Sequence, residues 1–72
     1  MNVKLFATLR DGRGKEAEIL WFEGIDGFKV LEELDLKQDD VKIFLVNGFH
    51  STPDKKLNPE DQISLFPAVG GG

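Results

Sequence analysis

Gln62-Ile63-Ser64-Leu65-Phe66-Pro67-Ala68-Val69-Gly70-Gly71-Gly72 is the stretch whose reading decides the fold. Ile63 and Leu65 alternate with Ser64 and Phe66, the period of a strand with one face buried. Pro67 ends that strand, because its ring fixes φ and leaves no amide proton for a ladder. Three glycines close the stretch. Glycine has no Cβ and is costly to order, so these residues are expected to pack against nothing in their own domain. Two readings are open: a frayed end, or an extended, flexible tail over 67–72 whose terminal carboxylate enters a narrow channel in another protein.

Working outward, Asn58-Pro59-Glu60-Asp61 is a turn, with Pro59 suited to the first central position of type I. Val41 to Val46 is the strongest strand, rich in β-branched and aromatic residues. Asn47-Gly48 after it is a two-residue turn signal, and Phe49 and His50 begin a short return. Ser51-Thr52-Pro53-Asp54-Lys55-Lys56 fits no regular interior element. Near the start, residues 2–8 alternate, with Val3, Leu5 and Ala7 on one face and Lys4 and Phe6 on the other. The polar turn Arg10-Asp11-Gly12-Arg13-Gly14 leads to a second strand over 16–22, whose register the apolar run Ile19-Leu20-Trp21-Phe22 leaves ambiguous. Asp26 is the N-cap of a helix of about two turns, with Phe28, Leu31 and Leu34 at three-residue spacing and Lys29, Glu32 and Glu33 towards solvent. Leu36 is expected to tuck inward from a solvated connection over 35–40.

The order is strand, strand, helix, strand, short strand, strand, over one domain spanning 1–72. An α+β mixed sheet packing one face onto one short helix is the economical way to bury these residues. If the first and last strands are central neighbours they must run parallel, since the helix-bearing crossover lies between them. That arrangement is the β-grasp, or ubiquitin-like, fold.

Composition narrows the function. The chain has no cysteine and one histidine, which argues against disulfides, thiol chemistry and a structural zinc site. Its net charge of −4 disfavours nucleic acid and anionic membranes and suits a basic protein partner. No apolar run is long enough to span a bilayer, and a cytoplasmic protein, monomeric when free, is expected.

Three stretches carry a resemblance that covers essentially the whole chain. Phe6-Ala7-Thr8-Leu9-Arg10-Asp11 followed by Gly14 looks like an F-A-x-[LV]-R motif and its following glycine. Val46-Asn47-Gly48 looks like a V-N-x turn, and Leu57 to Gly72 looks like L-x-x-G-D-x-[VI]-x-x-F-P-P-V-x-G-G. The sequence resembles the β-grasp sulfur carriers, and in particular the small subunit of molybdopterin synthase, with the thiamine-thiazole carrier a more distant relative. Glu60 departs from the motif's turn glycine, Ala68 from its second proline and His50 from an apolar position, and the helical region is short. The last two bear on partner choice.

The resemblance implies a non-catalytic carrier that binds no cofactor of its own. A ubiquitin-activating-type adenylyltransferase would use ATP to adenylate the carboxylate of Gly72, and a sulfur donor would displace AMP to leave a thiocarboxylate. Gly70 and Gly71 would pass through the partner's channel, where a Cβ would collide. The sulfur acceptor would be a molybdopterin synthase large subunit, for a molybdenum or tungsten cofactor. Alternatives are carriers for thiamine thiazole, tRNA thiolation or amino-acid biosynthesis, a ubiquitin-like modifier joined to lysines through Gly72, and a plain interaction module. Phe6 and Phe66 are expected side by side on the helix-free face as a docking patch; the bland alternative is that they finish a small core beneath a loop. Phe49 is expected to join them, and Arg10 to steer a partner's acidic groups. His50 reads as a surface residue, Arg13 as a solvated loop charge, and Trp21 as core or strand-face packing.

Overall fold

The structure, a computed structural model, describes residues 1–68. Five strands, β1 (Asn2–Leu5), β2 (Glu16–Glu18), β3 (Val41–Val46), β4 (Phe49–His50) and β5 (Ile63–Pro67), and one helix, α1 (Gly27–Glu33), are joined by two 3-10 turns at Ala7–Arg10 and Gln38–Asp40. The sheet order is β2-β1-β5-β3-β4. β1 and β5 pair in parallel, Val3 opposite Ile63 and Leu5 opposite Leu65, and all other pairings are antiparallel. This is the β-grasp arrangement.

Alternation does the sorting. Val3, Leu5, Ile63 and Leu65 are fully buried, and Phe44 and Val46 nearly so, on the face that also packs Val30 and Leu31 of α1. Each such side chain contributes about 1.5–3 kcal/mol relative to its exposed state. Seven helical residues do not persist alone, so this burial holds the helix. Asp26 caps it as expected, its carboxylate accepting the Lys29 amide at 3.1 Å. Gly27 meets the sheet so closely that a Cβ there would lie 2.7 Å from Phe44 Cζ and 2.7 Å from the Pro53 carbonyl oxygen. The other end closes as a Schellman motif. The Leu36 amide donates to Leu31 and the Asp35 amide to Glu32, at 2.8 and 3.0 Å, with Asp35 at φ +57°. That turn drives Leu36 into the core, as expected.

The carboxyl-terminal ends of β1 and β2 depart from the expectation, while both starts, Asn2 and Glu16, agree with it. The first strand stops at Leu5, not Thr8, because the chain turns at Ala7 (φ +53°) to bury Leu9. Ala7 is therefore exposed instead of sharing a face with Val3 and Leu5. The second ladder ends at Glu18, although alternation continues: Ile19 and Trp21 turn inward, and Leu20 is 88% exposed. The Trp21 indole N–H donates to the Leu57 carbonyl at 2.8 Å, which satisfies the one polar atom of a half-buried ring. On α1 the buried positions are Gly27, Val30 and Leu31, and Phe28, expected inward, stands 45% exposed.

The Asn47-Gly48 turn forms with both residues at positive φ, +53° and +84°, the geometry such hairpins require. It is tied to the turn before β5. Asn47 Nδ2 donates to Asp61 Oδ1 at 2.9 Å and Asn47 Oδ1 accepts the Gln62 amide at 2.9 Å, while the Asn58 amide donates to Asp61 Oδ2 at 2.8 Å. Asp61 is buried and fully partnered, so this polar cluster secures the end of the sheet remote from Pro67.

Candidate functional site

Strand parity places Phe6, Phe66, Ile43 and Leu45 on the face away from α1, all half-buried. Phe6 is held at the sheet because its amide still donates to the Leu65 carbonyl after β1 ends. Its ring stacks on Phe66, with centroids 4.2 Å apart and planes 8° from parallel. The pair is thus together, as the alternation predicts. Neither ring belongs to the buried core, and neither is among the strongly exposed apolar residues.

Arg10 completes this edge. The 3-10 turn folds it back so that Nε donates to the Leu5 carbonyl at 2.8 Å and Cζ lies 5.4 Å from the Phe6 ring centroid. A guanidinium in that pose keeps its outer nitrogens towards solvent beside an apolar patch, and its planar fork suits a carboxylate. Behind the aromatic row, the cross-strand partners Glu16, Lys4, Ser64, Leu45 and His50 form a second, mixed row. His50 is exposed at the end of that row, as a surface residue should be.

Phe49 does not join the aromatic pair. It lies directly opposite Val46 across the hairpin, and Val46 faces the helix, so Phe49 belongs to the other side of the sheet at its edge, 77% exposed. A two-residue turn already implies that parity, so the sequence held the signal. Arg13 also departs from the expectation. It is half-buried and donates to the Leu34, Leu9, Asp11 and Asp35 carbonyls, the shortest at 2.9 Å from Nε to Leu34. This guanidinium staples the loop before β2 to the end of α1. Gly70, Gly71 and Gly72 lie outside the described residues, which end two positions beyond Phe66. Among the described residues no cluster of His, Cys, Asp or Glu could hold a metal ion, and no helix is long and apolar enough to cross a membrane.

A mixed five-strand sheet with the parallel β1–β5 pair at its centre and one helix on one face defines the ubiquitin-like, β-grasp class. Residues 3–72 match the ThiS family, and the chain belongs to it. Among solved structures it is similar to the Pyrococcus furiosus protein described as molybdopterin converting factor, subunit 1. The two share 28% identity with a TM-score of 0.78 over 94% of this chain and 95% of that one. The fold is shared with small archaeal modifier protein 1 of Haloferax volcanii (20% identity, TM-score 0.78, 94% and 95% covered). It is shared also with the molybdopterin-converting factor of Helicobacter pylori, solved as a complex of subunits 1 and 2 (22% identity, TM-score 0.65, 99% and 96% covered). No curated protein matches the chain.

Proposed function

We propose that this protein is a cytoplasmic sulfur carrier, itself non-catalytic, whose Gly72 carboxylate is adenylated by an ATP-using partner and converted to a thiocarboxylate. A free carboxylate resists attack because its charge repels the nucleophile. Adenylation masks that charge and creates a leaving group: the carboxylate takes AMP from ATP and releases pyrophosphate. Sulfide sulfur then adds to the carbonyl carbon and AMP departs. Gly72 holds the reacting group, and Gly70 and Gly71 fit the extended backbone to a narrow channel. The carrier's own contribution is to bring that group to a partner's site in a fixed position. Phe6 and Phe66, with Arg10 alongside, dock the synthase. Phe49 is left as a contact for a partner that reaches around the sheet edge.

The observation that carries this reading is that the family match runs through Gly72. The likeness to a converting-factor subunit favours a pterin dithiolene precursor as sulfur acceptor, and the partner is then a synthase large subunit. A second reading, a protein modifier joined to lysines through Gly72, draws on the fold shared with the archaeal modifier.

Intact-mass measurement after incubation with an activating enzyme, ATP and sulfide tests both. One sulfur-for-oxygen exchange at the terminus supports the carrier, and adducts on lysines of other proteins support the modifier. An unchanged mass, with wild-type behaviour after deletion of Gly71 and Gly72, refutes both. For the docking face, Phe66→Ala should weaken synthase binding by about 2 kcal/mol or more, as a central aromatic does. Its stability cost should be about 1–2 kcal/mol, since the ring is only half-buried and lies outside the core. Unfolding of the variant would instead make Phe66 part of the core.

A further inference from the structure

The chain's negative charge is concentrated. Residues 28–40 carry five carboxylates (Glu32, Glu33, Asp35, Asp39, Asp40) against two ammonium groups (Lys29, Lys37), a balance of −3 out of −4 for the whole protein. This segment is α1 and the connection that follows it. Its α1 part lies on the helix side of the sheet, away from the Phe6–Phe66 face where Lys4 and Arg10 stand, and the connection carries Asp39 and Asp40 round to the sheet end beside Thr8, Pro67 and Ala68. Glu32 and Glu33, on α1, are misplaced for a basic protein that binds the aromatic pair and belong to a different surface.

That surface is also concave. A groove of about 420 Å³ opens between the outer side of α1 and the connection; Phe28, Leu31 and Leu36 give it apolar walls, and Glu32, Asp35 and Asp40 an acidic rim. Phe28 is 45% exposed there, although the spacing of the helix would have allowed it to be buried. Lys29, on the same helix, is engaged by Glu32 and Glu33 at 3.4 and 3.6 Å, which leaves Lys37 as the cation along the groove. The Schellman turn at Asp35 and the contact from the Asp40 carboxylate to the Lys37 amide, at 2.8 Å, hold the connection in place.

We propose that this groove is a second interaction surface. Its occupant is a basic amphipathic segment of a partner protein, which sets a leucine-sized side chain against Phe28, Leu31 and Leu36 and its lysines or arginines against Glu32, Asp35 and Asp40. Because Phe28 and Glu32 stand on the helix side, away from the aromatic pair, both surfaces are filled at once. Nucleic acid and anionic lipid are repelled by the same carboxylates.

The test uses a short synthetic leucine–lysine amphipathic peptide, a control with each leucine replaced by serine, and backbone amide NMR shifts of the full chain. The leucine peptide should saturably shift Leu31, Glu32, Leu36 and Asp40 and leave Phe6 and Phe66 unmoved. The serine control should bind at least about tenfold more weakly, for want of the buried side chain. Glu32→Gln and Asp35→Asn, which keep the helix and its left-handed turn, should each weaken the leucine peptide about two- to fivefold at low salt. Phe28→Ser should weaken it further. Equal binding of the two peptides, shifts centred on Phe6 and Phe66, or no saturable shift would overturn the proposal. Deleting Gly71 and Gly72 should change nothing here, so this result stands apart from the fate of the sulfur-carrier reading.

Discussion

Replacing Arg13 by alanine should lower stability by about 2 kcal/mol, a large effect for a loop residue. The side chain makes one short hydrogen bond, 2.9 Å to Leu34, and three longer ones at 3.3–3.4 Å to Leu9, Asp11 and Asp35. Hydrogen bonds to a charged group contribute about 1.5–3 kcal/mol each when well formed, and the three long ones add little. The Leu34 carbonyl ends α1 without a further helical partner, and partial exposure lets water replace part of what is lost. A chain of this size is expected to be stable by about 4–10 kcal/mol, so the loss is a substantial share. In urea the midpoint should fall by about 2 M at a slope near 1 kcal/mol/M, and the melting temperature by about 8–16 °C. Arg13→Lys is the decisive companion. One ammonium on a flexible stem does not reproduce a planar fork that spans two segments, so lysine should recover less than half the loss. If Arg13→Ala lies within about 0.5 kcal/mol of wild type, or Arg13→Lys matches it, the staple is not what holds this loop to the helix.

Three further perturbations probe other joints. Gly27→Ala should destabilise by about 1–3 kcal/mol in denaturant titration, because the added methyl meets backbone atoms of Pro53 as well as the Phe44 ring, at 2.7–2.8 Å; an unchanged midpoint would mean the helix start can shift. Asp61→Ala should cost about 1–3 kcal/mol by thermal melt, since it strands the Asn58 amide and the Asn47 side-chain amide. An effect near zero would show that the cluster is hydrated rather than closed. Asp35→Gly should raise the urea midpoint modestly, by about 0.5–1 kcal/mol of stability, because glycine takes φ +57° without the Cβ clash; a drop would mean the aspartate side chain supports the turn.

Periodicity made the sheet legible. Ile63 and Leu65 in alternation with Phe66, and Val3 and Leu5 with Lys4, already imply which faces meet, and the parallel pairing of β1 with β5 follows from the crossover between them. The Phe6–Phe66 stack was legible for the same reason. Contacts made by polar side chains with distant backbone were not. Nothing in Arg10-Asp11-Gly12-Arg13-Gly14 distinguishes an arginine that stays beside an exposed ring from one that reaches across to α1, because the acceptors are carbonyls of Leu34 and Asp35, more than twenty positions away. Phe28 misled for a related reason. Three-residue spacing describes a stripe on an isolated helix, but the angle at which this short helix meets the sheet is set by Gly27 against Phe44 and Pro53, and that rotates Val30 inward and Phe28 out.

The parallel pairing of β1 with β5 has a consequence for how the chain comes into being. Val3 and Ile63 are sixty positions apart in the chain and neighbours at the centre of the sheet. A ribosome-bound chain that has not yet released β5 lacks the strand that joins β1 to β3, and its buried faces have nothing to close against. Such long-range closure is slow relative to local contacts. A product cut short before Ile63 is therefore left without the central strand and stands open to proteases.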